Sequence, residues 1–316
     1  MTIMSAKMRT RFLTKMTNAE VEEYLERNDI IFIAIGTVET HGDFPLDVEA
    51  TLPEAFALKM AEKVDGLVLG SLPYFFCGAT TVGKGTVQMS VASGAEYLKQ
   101  ISYSLLNQGF RRQVYLSLHG PAFLTAGTVV VDFFDETKVP ISYIDLIDAL
   151  QIAQEANPDI NMAKINNMFF GAYEILNKKD ELVIDPKVKM PTQEQMEAYF
   201  KQPTDEEELK KLKKFGRAES QNVQFFNYLR KFAHPSGAVG FYFSEPDDHA
   251  GHMGALPSVE MRDQVAKEGA ELIEAMVEAL DMPEYVKQMR ELDEWTQSYI
   301  KPRYGKHLPK NKFSEW

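Results

Sequence analysis

The chain has 316 residues, 45% of them apolar, with a formal net charge of -12 and a single cysteine. The acidic balance argues against a general nucleic-acid or anionic-membrane surface and points to a small molecule as partner. Cys77 alone allows no internal disulfide and fits a reducing, cytoplasmic setting, and no apolar run approaches the ~20 residues of a membrane span.

The basic stretch from Met1 to Lys15 lacks the apolar centre of a signal peptide. Thr17 and Glu20 then make a capping box, each side chain satisfying a backbone donor at the start of a helix that runs toward Arg27. The apolar run Ile30 to Ile35, bounded by Gly36, predicts a buried strand, so Glu39 and His41 follow its exit. Pro53 predicts the first turn of a helix with Ala57, Leu58 and Met60 on its apolar face, and Leu67 to Leu69 predicts the next strand. Ser93 with Glu96 repeats the capping-box pattern before a helix from Tyr97 to Gln108 that Gly109 ends. The strand Val114 to Leu118 runs straight into His119 and Gly120. Pro140 to Ile144 predicts a further strand, followed by a helical stretch from Asp148 to Glu155. Strands alternating with helices imply an α/β fold with a mainly parallel sheet.

From about 177 to 217 the sequence becomes charged, with Thr204 and Glu207 opening a helix that carries Glu206/Lys210 and Glu207/Lys211 pairs; this predicts a solvated surface insertion in a single domain spanning 1-316. A last helix is predicted from Ser258 to Leu280. The tail from about 283 to 316, with Trp295 and Trp316, is aromatic enough to pack either on its own domain or on another subunit.

Chemistry concentrates at the strand exits. Glu39 and His41 are two residues apart, so on extended backbone they point the same way. With Glu49 and His119 they form a set of two carboxylates and two imidazoles, the mixed oxygen and nitrogen donors that divalent metals take. Glu49 is the candidate bridging ligand and Asp47 its competitor. Each residue alone has a blander role as a loop cap or a core histidine, and the cluster carries the signal. Gly78, Gly83 and Lys84 approximate a phosphate-binding loop, but Gly85 stands where that pattern needs Ser or Thr after the lysine, so nucleotide binding is the poorer expectation.

The segment Glu39-Thr40-His41-Gly42, followed by Pro45-Leu46 and an acidic residue, resembles the Glu-x-His-Gly motif of the creatininase (creatinine amidohydrolase) family. The resemblance covers about Ile30 to Leu176 and touches Gly237 to Leu272. Gly83-Lys84-Gly85-Thr86 stands for the family's Phe-Pro-Gly-Thr, His119-Gly120-Pro121 for its His-Gly strand end, and Phe169 to Leu176 for its His-Ala-Gly-Glu-x-Glu-Thr-Ser. It implies a three-layer α/β/α fold and a pair of divalent ions, Zn, Mn or Fe: Glu39 and His119 on one, His41 and Glu174 on the other, Glu49 between them. It implies in turn a hydrolase in which metal-bound hydroxide opens a small cyclic amide or related carbonyl compound, and a homo-oligomer, hexamers being common in the family.

The departures bear on the substrate. Thr80 and Lys84 replace residues of the family's substrate wall and make it more hydrophilic, and Phe169 replaces the His of His-Ala-Gly. Some members of the wider family cleave a carbon-carbon bond in an oxidised cyclic polyol, and a hydrophilic wall suits that alternative, a keto-inositol hydrolase of the 3-dehydro-scyllo-inosose type. Asp248, His249 and His252, in the polar run 247-252, are candidates to replace the missing acid/base group. An expectation of another class is a non-catalytic ligand-binding or assembly protein that keeps part of the motif without the chemistry.

Overall fold

In the computed structural model, which describes residues 8–161, 164–188 and 254–307, the chain begins with α1 (Asn18–Leu25), closed by the predicted capping box between Thr17 and Glu20. It continues through β1 (Ile30–Ile35), α2 (Val48–Lys63), β2 (Leu67–Leu72), α3 (Val91–Asn107), β3 (Arg112–Ser117), α4 (Ala122–Thr137), β4 (Ser142–Asp145), α5 (Leu146–Ala156) and α6 (Asn167–Ile175). The later helices are α7 (Val259–Ala279) and α8 (Met282–Trp295). The four strands pair in parallel in the order β2-β1-β3-β4.

Every residue of β1 is buried, and its alternation feeds two cores. Ile30, Phe32 and Ala34 pack with Phe56 and Met60 of α2, Leu150 of α5, Met168 of α6 and Ile273 of α7. Ile31, Ile33 and Ile35 face the other way, onto Tyr24 of α1, Leu98 of α3 and Phe133 of α4. The result is the three-layer α/β/α fold. The chain leaves β1 for β2 on one side and returns to β3 on the other, so the carboxyl ends of β1 and β3 flank a topological switch point, where open α/β sheets leave a crevice.

Two predicted helix starts move. α2 begins at Val48, not at Pro53, which sits inside it. Proline has no N–H to give the carbonyl four residues back, that of Glu49. This carbonyl lies against Gly36, where an added Cβ would stand 2.4 Å from the Glu49 oxygen. The helix thus starts directly on the exit of β1. α3 begins at Val91, with Ser90 as its cap accepting from the Ser93 N–H, while Glu96 accepts instead from Gln100.

The chain after 282 forms α8 on its own domain: Val286 and Met289 join the first core, Tyr285 meets Ser142 of β4, and Arg111 forks onto Asp293 at 2.8 and 3.0 Å. The predicted insertion lies outside the described residues beyond 188. No helix among the described residues is long and apolar enough to cross a membrane.

α6 and α7 meet backbone to backbone. A Cβ on Gly269 would lie 1.8 Å from the Asn167 carbonyl oxygen, and one on Gly171 would lie 2.1 Å from the Gly269 carbonyl carbon. Neither obstacle is a flexible side chain. Gly269→Ala is therefore expected to force the two helices apart and to destabilise the protein by about 3 kcal/mol, the upper part of the usual overpacking range, read as a lower urea midpoint at unchanged slope.

Candidate metal centre

After β1 the backbone turns back on itself. The Glu39 N–H donates to the Leu46 carbonyl at 2.9 Å, the Phe44 N–H donates to the His41 carbonyl at 3.2 Å, and Gly42 supplies a positive φ of 58°. This loop carries Glu39 and His41 and hands the chain to α2, whose first turn carries Glu49. β3 ends beside it and delivers His119.

Four predicted ligands therefore converge at the switch point, all buried. Ligand atoms of Glu39, His41 and Glu49 lie within 4.8 Å of one another. His119 Nδ1 stands 2.5 Å from Glu49 Oε2 and 3.2 Å from Glu39 Oε1, and His41 Nε2 stands 3.0 Å from Glu49 Oε1. The other ring nitrogen of His119, Nε2, donates to the Phe76 carbonyl at 2.8 Å, which leaves Nδ1 as the nitrogen facing the carboxylates.

The charges are interdependent. Burial works against an imidazolium at His119, but Glu49 and Glu39 outweigh it and hold the group well above its ordinary 6.5; His41 is raised by the same contest. Burial also works against the Glu49 carboxylate, yet His41 and His119 bring it well below the usual range. Glu39 moves up, first through burial and then through the charge of Glu49.

The remaining candidates fall elsewhere. Thr80, expected on the substrate wall, is buried, and its hydroxyl donates to Glu39 Oε2. Lys84 is exposed. The structure does not bring Glu174 into the cluster, because its carboxylate pairs with Lys179 at 3.1 Å and its side chain is 37% exposed. Asp47 is likewise committed, accepting from Tyr173 at 2.9 Å and from Thr51 at 3.1 Å, so Glu49 is the carboxylate that faces the imidazoles. Asp248, His249 and His252 lie outside the described residues. In the phosphate-loop-like segment the Gly83 N–H donates to the Thr80 carbonyl, and α3 begins only at Val91, so that loop does not present a helix N-terminus to a phosphate.

Sequence reasoning passed over Thr37, whose hydroxyl lies 2.8 Å from Glu39 Oε1 and 3.1 Å from Glu49 Oε2. Its position two residues before Glu39 was the available signal. The Phe76 carbonyl, 43 residues from His119, left none.

A model of the creatininase family, creatinine amidohydrolase, matches residues 14–281. The chain belongs to this family. Creatininase-family folds recur among solved structures: a Bacteroides fragilis protein provisionally described as a creatinine amidohydrolase superposes with a TM-score of 0.51 at 15% identity, over 92% of this chain and 98% of that one. A creatininase mutant complexed with creatine gives 0.50 at 14% identity, over 89% and 99%. At such identities the likeness concerns the fold. A 3-dehydro-scyllo-inosose hydrolase of Thermotoga maritima is 29% identical over 115 residues, 36% of this chain and 37% of that protein, so the match spans little more than a third of the relative.

Removing the Thr80 hydroxyl leaves one oxygen of a buried carboxylate without its donor. Thr80→Val is expected to destabilise the metal-free protein by about 1–3 kcal/mol in urea unfolding, while Thr80→Ser, which keeps the hydroxyl, stays close to the parent.

Proposed function

We propose that this creatininase-family protein is a metal-dependent hydrolase that adds water across a small cyclic carbonyl compound. One observation carries the reading: two carboxylates and two imidazoles, buried at the switch point, with His119 turned so that Nδ1 faces the carboxylates. The donor set fits a borderline divalent cation such as Zn, Mn or Fe, since it mixes imidazole nitrogen with carboxylate oxygen and balances a double positive charge. Glu39, His41, Glu49 and His119 are the residues that would hold it. When bound, such a cation supplies Lewis acidity, lowering the pKa of water and polarising a carbonyl oxygen.

The rest is the work of the chain. Thr37 and Thr80 fix the orientation of the carboxylates, and the Phe76 carbonyl fixes the His119 tautomer. His249 and His252, with Asp248, are proposed to move the proton between substrate and solvent. A described residue supports this: Gly254, two positions after His252, packs on the ligand loop, an added Cβ meeting the Phe44 nitrogen at 2.3 Å.

A cyclic amide and the ring of a keto-polyol present the same problem, an sp² carbon that must accept water. With Thr80 turned to Glu39, the wall no longer argues for a hydroxylated substrate through that residue. The sequence match to the inosose hydrolase does favour the polyol, and carbon-carbon hydrolysis of a keto-inositol is the second reading.

Metal analysis and a substrate screen test these together. Protein reconstituted with Mn or Zn is expected to retain metal and to turn over either cyclic amides or keto-inositols, the active group naming the bond that is cleaved. Fully loaded protein that acts on neither removes the hydrolase reading.

Metal binding should also depend on pH with a definite sign. Both imidazoles are raised above 6.5 in the folded metal-free protein, so a cation must displace their protons. Affinity is expected to rise as pH climbs through the range above 6.5, with proton release visible when titration calorimetry is repeated in buffers of different ionisation enthalpy. An affinity flat from about pH 6 to pH 9 would contradict this coupling.

A further inference from the structure

We propose that two copies of this chain pair through the outward face of α8 and its continuation, antiparallel and across a two-fold axis that passes over Gln297, with Trp295 of each copy against Tyr299 of the other. This stretch lies beyond residues 14–281, which match the family, so the inference stands apart from the metal centre and from the family resemblance.

Helical backbone continues past Trp295. A π turn, Thr296–Ile300, leads into a last short helix, Lys301–Tyr304. One side of this rod is committed to its own domain: Val286, Met289, Asp293 and Thr296 are buried, and Gln297 donates to the Lys138 carbonyl at 2.8 Å. The other side carries Leu292, Trp295 and Tyr299, which are 47%, 50% and 43% exposed. A single exposed apolar residue is ordinary, but three in succession on one helix face form a stripe. The wider π turn advances less per residue around the axis than an α turn does, which keeps Tyr299 and Arg303 in line with Trp295. The Trp295 and Tyr299 rings accordingly stack, with centroids 5.6 Å and planes 10° apart, and the Arg303 guanidinium lies 3.7 Å from the Tyr299 ring centre. Interfaces favour tryptophan, tyrosine and arginine, and side chains already stacked lose little freedom when a partner arrives.

The charges along the stripe select both the occupant and its direction. Lys287 is engaged by Glu284 and Arg290 by Asn28. Glu291 and Arg303 are exposed and stand at equal spacing on either side of Gln297, outside the pair Trp295 and Tyr299, which flank it in the same way. A two-fold axis over Gln297 therefore sets Glu291 of each copy against Arg303 of the other while the aromatic rings meet in the middle, so the surface complements itself twice. A parallel pairing would instead oppose Glu291 to Glu291 and Arg303 to Arg303.

Sedimentation velocity of the full chain at concentrations on the order of 1–100 μM, the range of weak to moderate protein contacts, provides the test. The parent is expected to associate, and Trp295→Glu to halve the mass of the assembled species. Glu291→Arg or Arg303→Glu alone is expected to weaken association by about ten-fold, since symmetry places two repulsive contacts in each pair. Mixing these two single variants is expected to restore association, because every contact then joins opposite charges, and a folding defect in either variant cannot produce that recovery. A parent that stays monomeric throughout, leaving the stripe to some other occupant, overturns the inference. So does an assembled mass that Trp295→Glu leaves unchanged, or a mixture that associates no better than its components.

Discussion

Two carboxylates, Glu39 and Glu49, share one hydroxyl in the interior of this protein, and the site is built around the need for positive charge that they create. Both lie within hydrogen-bond distance of Thr37 Oγ1. That oxygen carries a single proton and can donate to only one of them at a time. Burial first, and then the charge of Glu49 close by, push Glu39 up so that it resists ionisation, while Glu49, flanked by both imidazoles, ionises readily. Without metal, protons on His41 and His119 provide the compensating charge. A cation placed among the same atoms performs that task with fewer particles, so proton release and metal capture are two sides of one equilibrium.

The fold generates this concentration of charge through strand order. Because β1 sits between β2 and β3, the loops after β1 and β3 diverge from a common edge, and each delivers ligands to the crevice between them. α2 supplies the last carboxylate because it begins unusually close to the sheet. Pro53 frees the Glu49 carbonyl and Gly36 offers no side chain to obstruct it, so the first turn of α2 rests on the exit of β1. Any residue with a Cβ at 36 would push that turn outward and take Glu49 with it.

This arrangement also explains what the sequence made legible. β1 and β3 are readable because a fully buried parallel strand is a short apolar run, and Glu39, His41 and His119 follow those runs directly. The contest between Asp47 and Glu49 was not readable. It turns on helix register: a helix starting at Pro53 would leave both carboxylates in a loop, whereas the start at Val48 makes Asp47 the cap residue, within reach of Tyr173, and puts Glu49 in the first turn facing the imidazoles. Thr80 and Glu174 illustrate a different limit. Their partners, Glu39 and Lys179, are set by how loops and helix ends pack, and nothing in the spacing of a motif states which neighbour a side chain will choose. The family resemblance assigned Glu174 by alignment to a motif of which this chain keeps little more than the glutamate.

The loss of that motif's histidine has a structural counterpart that bears on how rigid the site is. Phe169, in its place, packs against Phe44 of the ligand loop with ring centroids 5.6 Å apart, and Phe170 lies closer still at 4.8 Å. Gly254 presses on the same loop from another direction, with a φ of +117° that side chains rarely tolerate, and the Val38–Val87 bridge holds the backbone just before Glu39. An apolar clamp has thus replaced a polar contributor: the substitution removes a candidate acid/base group from α6 and adds anchorage to the loop that carries Glu39 and His41. A loop pinned on several sides holds its donors in place before any cation arrives, which lowers the reorganisation that binding requires. The substitution also leaves α6 without a histidine at that position, so the loop that carries Glu39 and His41 is held there by an apolar contact rather than a polar one.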